Sequence, residues 1–154
     1  MQDVLTKRSD SFQIVPIDIK NAAYREYESF SLRLVRVHHG IVPSIALKIV
    51  VDKKIIIISG DTNNENAELE KLAQNADLFV AHHAVSNSAR GYAIELHMKP
   101  EMIAKIASKS RVKKVLLTHR MRRTIGKEKE SLEVIKEIYN GEVVFAEDRM
   151  KLEL

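Results

Sequence analysis

The sequence has no cysteine and no tryptophan among its 154 residues, and only 5% of the residues are aromatic. Without cysteine the chain can form no disulfide framework, no thiolate metal site and no cysteine nucleophile. Its 5 glycines and 3 prolines are too few for a collagen-like or low-complexity chain. No apolar run approaches the roughly 18 residues of a membrane span, and residues 1–10 lack the apolar segment of a secretory signal. We therefore expect a soluble, cytoplasmic protein with no membrane partner.

The composition is that of an ordinary globular chain. Hydrophobic residues make up 45% and charged residues 30%, which argues against disorder. The length suits a single core, so we predict one domain over residues 1–154, with residues 1–10 as a loose polar lead-in. The net charge of +4 permits an anionic partner without requiring one. Because aromatic residues are few and no RNA-binding motif occurs, RNA is retained only as a substrate.

The spacing of apolar residues predicts a block of strands followed by helix–strand alternation. Residues 31–38 alternate polar and apolar side chains, the period of a half-buried strand. The isoleucines at 55–58 indicate a strand covered on both faces, which pairs with residues 44–51 as a hairpin. This order predicts an α/β fold with α+β layering, in which a mixed β-sheet carries helices on one face. Further strands are predicted at 12–19, 78–81, 112–118, 143–145 and 150–154, and helices beginning at residues 63, 100 and 127.

Polar side chains follow several of the predicted strands at the point where each strand ends. His38 and His39 end one strand, Asp61 follows the isoleucine strand, and His82 and His119 end the next two. Because the carboxyl ends of parallel strands meet at one edge of a sheet, such residues commonly build a ligand site. We therefore expect these side chains to converge.

Imidazole and carboxylate groups are ligands that suit zinc, manganese or iron. A bound ion would lower the pKa of a water molecule and make it a nucleophile near neutral pH. Each residue also has a simpler interpretation. A single histidine at a strand end is more often a hydrogen-bonded surface residue, and Asp61 after Gly60 suits a turn or a helix cap. The pattern of residues alone leaves both interpretations open.

Several short motifs occur in a fixed order between residue 30 and residue 154. They are His-His-Gly-Ile-Val-Pro at 38–43, Ser-Gly-Asp-Thr at 59–62, Leu-His-Met-Lys-Pro at 96–100 and Leu-Thr-His at 117–119. With these motifs the chain resembles the C-terminal half of a metallo-β-lactamase-fold hydrolase, and within that superfamily the ribonuclease-Z-like branch. The resemblance implies half of an αββα sandwich and a hydrolase that directs a metal-activated water at an ester or phosphodiester-type bond.

The resemblance also implies roles for individual residues. His39, Asp61 and His119 match metal ligands, with Asp61 bridging two ions of zinc, or of manganese or iron. His97 matches a position that assists proton transfer, so His97 and Asp61 are the implied catalytic residues. His82 lies near a strand end that belongs to the family's site, and it is a candidate contact to a small-molecule or phosphodiester substrate. Arg120 is a second candidate, since it forms a basic cluster beside His119 with Arg122 and Arg123. The simpler interpretation of this cluster is a solvated basic loop.

The sequence departs from the family in one important respect. The His-x-His-x-Asp-His motif, which supplies most of the family's metal ligands, does not occur in the chain. By the family pattern only two protein ligands remain for each ion, whereas a catalytic zinc usually has three. We therefore expect weak metal binding and poor catalysis by this chain alone.

Two interpretations of the function follow. The chain is either a metal-dependent hydrolase, or the C-terminal half of one, or it is a non-catalytic half-domain that serves as an interaction or oligomerisation module. In both cases half a sandwich leaves one sheet face uncovered, including Ile55 to Ile58 and the strand around Val115 to Leu117. An apolar surface of that size favours a partner, so we expect a homodimer or a complex with a separate N-terminal half.

Overall fold

The computed structural model describes residues 22–154. They form one seven-stranded sheet whose strands follow each other in chain order, from β1 at one edge to β7 at the other. Four helices lie in the connections after the fourth strand. The strands are β1 (Ala22–Glu26), β2 (Phe30–Val37), β3 (Ser44–Val51), β4 (Lys54–Ile58), β5 (Leu78–His82), β6 (Lys114–Thr118) and β7 (Glu142–Phe145), and the helices are α1 (Glu68–Leu72), α2 (Ala93–Leu96), α3 (Pro100–Lys109) and α4 (Glu128–Lys136).

The sheet is mixed. Strands β1 to β4 pair antiparallel as a meander, and β4 to β7 pair parallel. Parallel neighbours need crossover connections, and such crossovers are almost always right-handed. Three crossovers that advance in the same direction therefore place their helices on the same face of the sheet. The carboxyl ends of β4, β5 and β6 also meet at one edge.

The hydrophobic core lies between the helices and one face of the sheet. From the sheet it receives the fully buried Ile57, Phe79, Val115 and Leu117, which alternate with residues of the other face. Apolar side chains of three helices complete the same cluster, and these are Leu69, Leu72, Ile103, Ala104, Ile106, Ala107 and Ile135. The predicted α/β architecture, a mixed sheet with helices on one face, is confirmed.

The opposite face of the sheet carries apolar side chains that no described helix covers. Ile56, Ile58, Val80 and Leu116 occupy neighbouring positions across the three paired strands β4, β5 and β6 and are half-buried. Of the strand around Val115 to Leu117, only Leu116 lies on this face, because alternation along β6 turns Val115 and Leu117 into the helical layer, where they are fully buried.

Several predicted boundaries differ from the structure. The first helix begins at Glu68 rather than at residue 63, because Asn64 and Ala67 adopt left-handed backbone conformations that an α-helix excludes. The strand predicted at 150–154 is absent. A turn from Glu147 to Met150, with Arg149 left-handed, precedes it, and residues 151–154 join no strand of the described sheet. The strand predicted at 12–19 lies outside the described residues.

Strand β1 was not predicted, although residues 22–26 pair with β2 along their whole length. Within residues 22–154, no helix is long and apolar enough to cross a membrane.

Candidate metal centre

The sharp turn after β4 brings a carboxylate to the edge of the sheet. Gly60 has a positive φ of 60°, and a Cβ atom there would lie 2.2 Å from the carbonyl oxygen of Ile45, so only glycine fits. The buried Ser59 hydroxyl donates to the Gly60 carbonyl and accepts from the backbone N–H of His82. The Ser-Gly pair thus fixes Asp61 beside the end of β5, a positioning role for Ser59 that the sequence analysis did not assign.

Three imidazoles surround one oxygen of this carboxylate. Asp61 Oδ1 lies 2.9 Å from His82 Nδ1, 3.3 Å from His119 Nε2 and 3.5 Å from His97 Nδ1. His82 ends β5, His119 follows β6, and His97 follows α2 directly. The structure therefore brings together four of the predicted site residues, at the edge where the carboxyl ends of the parallel strands meet.

The donor set suits a divalent metal ion. One ligand atom from each of Asp61, His82 and His119 lies within 4.8 Å of the other two. A carboxylate with two imidazoles is a combination typical of catalytic zinc sites, which use three protein ligands. The buried His97 Nδ1 faces the same carboxylate and makes no hydrogen bond. A buried nitrogen without a hydrogen bond, beside a carboxylate, is expected next to a bound ion. The residues at this edge therefore fit a divalent metal ion.

The ligand count differs from the one that the sequence suggested. The family pattern gave two protein ligands for each ion, but the geometry adds His82 to Asp61 and His119 and so offers three to one ion. His82 was assigned only a substrate contact. Its position at the end of the strand that pairs with the Asp61 strand was the signal available in the sequence, because parallel neighbours align their carboxyl ends.

The cluster influences the ionisation of its members. Partial burial acts to raise the pKa of Asp61, but the hydrogen bond with His82 and the charges of His119, His82 and His97 outweigh it and hold this pKa below its usual value. Burial lowers the pKa of His97, and the charges of His39, Arg123 and His119 add to this effect, while Asp61 opposes it. At neutral pH, Asp61 is an anion and His97 a neutral imidazole.

His39 lies beside His97. Its ring centroid is 5.0 Å from that of His97, and its Nδ1 is 2.9 Å from the carbonyl oxygen of Leu96. The carbonyl can only accept, so Nδ1 carries the proton and Nε2 is left for a ligand. Histidines that bind metals usually make this kind of bond with their other nitrogen. The role of His39 as a ligand stays a prediction.

His119 reaches the cluster through an unusual backbone conformation. Its φ of 51° lies in the left-handed region, which costs free energy for a residue with a Cβ atom and is concentrated at functional sites. The side chain remains 41% exposed, so the metal centre opens to solvent on this side.

Arg120 points away from the cluster. Its guanidinium donates to Glu128 at 3.1 Å and to the carbonyl of Ala146 at 3.0 Å, and it lies over the ring of Phe145. These contacts tie β7 and α4 to the loop after β6. The predicted substrate contact at Arg120 is not among the contacts that the structure brings together at Asp61.

His83 is a buried structural histidine. Its side chain is fully buried, with Nε2 2.9 Å from the Ser131 hydroxyl and its ring edge-on to Phe145. It alternates with His82 along the chain and therefore faces the helical layer instead of the sheet edge.

Solved structures with the same arrangement of strands and helices show which fold this is. A metallo-β-lactamase fold protein from Bacillus subtilis, YhfI, matches 81% of this chain and 50% of its own, with a TM-score of 0.71 and 19% identity. The chain has the architecture of half of the metallo-β-lactamase fold. The short form of human tRNase Z matches 84% of this chain and 45% of its own, with a TM-score of 0.61 and 25% identity.

A third metallo-β-lactamase-fold comparison is with zinc-bound PqqB from Methylobacterium extorquens, which matches 88% of this chain and 55% of its own at a TM-score of 0.65 and 14% identity. This chain thus spans about half the length of the metallo-β-lactamase-fold structures that it matches. No protein-family model matches the chain, and no curated protein matches it either.

Proposed function

We propose that this chain is the metal-binding part of a hydrolase of the metallo-β-lactamase superfamily, acting on an ester or phosphodiester-type bond. The observation that carries the proposal is the contact of one Asp61 oxygen with three imidazoles, at distances from 2.9 to 3.5 Å. The fold supports the superfamily, and the name of one matching protein, a tRNase Z, supports a phosphodiester substrate.

Asp61, His82 and His119 would hold the ion, with His39 available through Nε2 for a second ion in a completed site. Zinc is the ion that the donor set favours, with manganese or iron as alternatives. When bound, such an ion acidifies water and stabilises the negative charge that develops on the substrate.

His97 is the residue proposed to move a proton. It is 7% exposed, its Nδ1 faces Asp61 without a hydrogen bond, and burial keeps it neutral at physiological pH. A neutral imidazole beside the reacting centre can accept a proton and return it to a leaving group. Asp61 would hold the protonated form in place through its negative charge.

Hydrolysis of bis(p-nitrophenyl) phosphate by the zinc-loaded chain tests the proposal. We expect slow turnover that zinc restores after chelation and that Asp61→Asn abolishes, because removal of the shared carboxylate disrupts the ligand set. Asp52→Asn is the matched control, since Asp52 lies in the exposed β3–β4 turn and Asn tolerates its left-handed conformation. Turnover that survives Asp61→Asn would contradict the proposed site.

The uncovered sheet face favours a second role, association. Ile56, Ile58, Val80 and Leu116 form an apolar strip opposite the helices, and the matching structures contain about as much chain again. We propose that a second copy of this chain, or a separate N-terminal half, packs on this strip. Burial of apolar area contributes roughly 25 cal/mol per Å², so several hundred Å² would hold such a pair together.

A further inference from the structure

We infer that Arg123 binds the anionic group of the substrate, so that the site favours a phosphate ester over a neutral ester. The inference rests on the proposed hydrolase function for its reaction, but it concerns a separate property, the recognition of charge. Three arginines follow His119 along the chain, at positions 120, 122 and 123, and the structure gives them different surroundings.

The loop that carries these arginines is pinned to the end of β5. The buried Thr124 hydroxyl lies 3.1 Å from the carbonyl of His83, and Arg123 Nε donates to the next carbonyl, that of Ala84, at 2.7 Å. The backbone N–H of Thr124 also donates to the Met121 carbonyl at 2.8 Å, which closes a turn from Met121 to Thr124. Arg123 and Thr124 thus bind the consecutive carbonyls of Ala84 and His83, just after β5.

This arrangement brings the Arg123 guanidinium, from the loop that follows His119, against the loop that follows His82. The positive charge of Arg123 also contributes to the lowered pKa of His97, whose Nδ1 lies 3.5 Å from Asp61 Oδ1. A guanidinium held through its Nε by a backbone carbonyl has a fixed plane, and its terminal nitrogens meet no oxygen acceptor among the described residues, since one of them contacts only the weakly accepting Met121 sulfur. That geometry matches two oxygens of a phosphate group.

The charge of Arg123 is not neutralised by a carboxylate. Within residues 22–154, none of the salt bridges involves Arg123, and its other polar contact is the Met121 sulfur, 2.9 Å from Nη2. Arg120 differs, because Glu128 pairs with it at 3.1 Å. Of the two, Arg123 therefore has terminal donors and an uncompensated charge available for an anion.

Binding of phenyl phosphate to the full 154-residue chain tests this inference. Calorimetry is done at pH 8, above the ordinary pKa of histidine, on both zinc-loaded and metal-free protein. We expect Arg123→Ala to weaken phenyl phosphate binding about tenfold, the effect of losing one charge-assisted contact. Arg123→Lys keeps the charge without the planar fork and should give an intermediate loss.

Arg122→Ala is the matched control, because Arg122 is an exposed arginine on the same loop, as Arg123 is, but only Arg123 is held by the Ala84 carbonyl; it should change phenyl phosphate binding by less than about twofold. The zinc affinity of Arg123→Ala should equal that of the wild type, which separates anion binding from damage to the metal site. Equal losses in the two alanine variants, or no loss in Arg123→Ala, would overturn the inference. A wild-type chain that binds no zinc would refute the proposed function instead, and the metal-free measurements would still decide the role of Arg123.

Discussion

His82 Nδ1 lies 2.9 Å from Asp61 Oδ1, across the neighbouring parallel strands β4 and β5. With His119, which directly follows β6, the ends of three adjacent strands bring one carboxylate and two imidazoles together. The chain therefore offers a complete three-ligand set for one ion although it lacks the His-x-His-x-Asp-His motif.

Replacement of His82 tests whether it is a ligand. His82→Ala should weaken zinc binding at least about tenfold, since even indirect partners of metal ligands contribute that much. The measurement is zinc titration against a competing chelator. His38→Ala serves as the control, because His38 pairs with Glu65 outside the triad. Equal zinc affinities for both variants would show that His82 only positions Asp61.

Replacement of His97 separates proton transfer from metal binding. In an enzyme that turns over phosphodiesters, His97→Ala should lower kcat by about 10²-fold or more, the usual contribution of a general acid or base. The zinc content measured by atomic absorption should stay near the wild-type value. A parallel loss of zinc and turnover would instead make His97 a ligand.

Asp77 predicts an acid-dependent loss of stability away from the metal centre. Its carboxylate accepts from Lys113 and from the backbone N–H of Ile55, each at 2.8 Å. The hydrogen bond from Lys113, then that from Ile55, lowers the pKa of Asp77 below its ordinary value of 3.8. The unfolded chain therefore binds a proton first as the pH falls, so this stabilisation is present above pH 3.8 and is lost below it.

Asp77→Asn should therefore destabilise the chain by about 1 kcal/mol at pH 7. At pH 3 the difference in free energy of unfolding between the variant and the wild type should be smaller. Urea unfolding at both pH values measures this, with Asp52→Asn as the control in an exposed turn. A gap that is constant with pH would assign the effect to side-chain shape instead of charge.

The uncovered sheet face predicts a dimer that one charge would break. Ile58→Glu places a carboxylate within the apolar strip, where its desolvation opposes association. Light scattering at micromolar concentration should give twice the chain mass for the wild type and the single mass for the variant. Ile41→Glu is the control, because Ile41 is 96% exposed in the β2–β3 loop. A wild-type monomer would mean that this face needs no partner.

The layers of the fold were predicted well from the sequence, because apolar residues recur with the periods of strands and helices. Alternation in β2 and the helical spacing around Ile103 and Ile106 follow directly from which side chains are buried. The strand predicted at 150–154 was wrong, because it too rested on alternation alone. Alternating residues could not reveal that Arg149, just before them, adopts a left-handed backbone conformation.

Site residues were harder to rank than to find. His39, Asp61, His82 and His119 all stood out as polar residues at strand ends, but a pattern of residues contains no distances. Which arginine keeps a charge that no carboxylate pairs with also depends on partners remote in sequence. Arg120 forms a salt bridge with Glu128, whereas Arg123 donates a hydrogen bond to the carbonyl of Ala84.

A zinc titration of the purified chain by calorimetry tests the central claim most directly. If Asp61, His82 and His119 form one site, the wild type should bind one zinc ion per chain, and Asp61→Asn should lose this binding while Asp52→Asn retains it. Saturable binding of one ion that depends on Asp61 is the predicted result. A wild-type chain with no stoichiometric zinc, or with binding that Asp61→Asn leaves intact, would contradict the account.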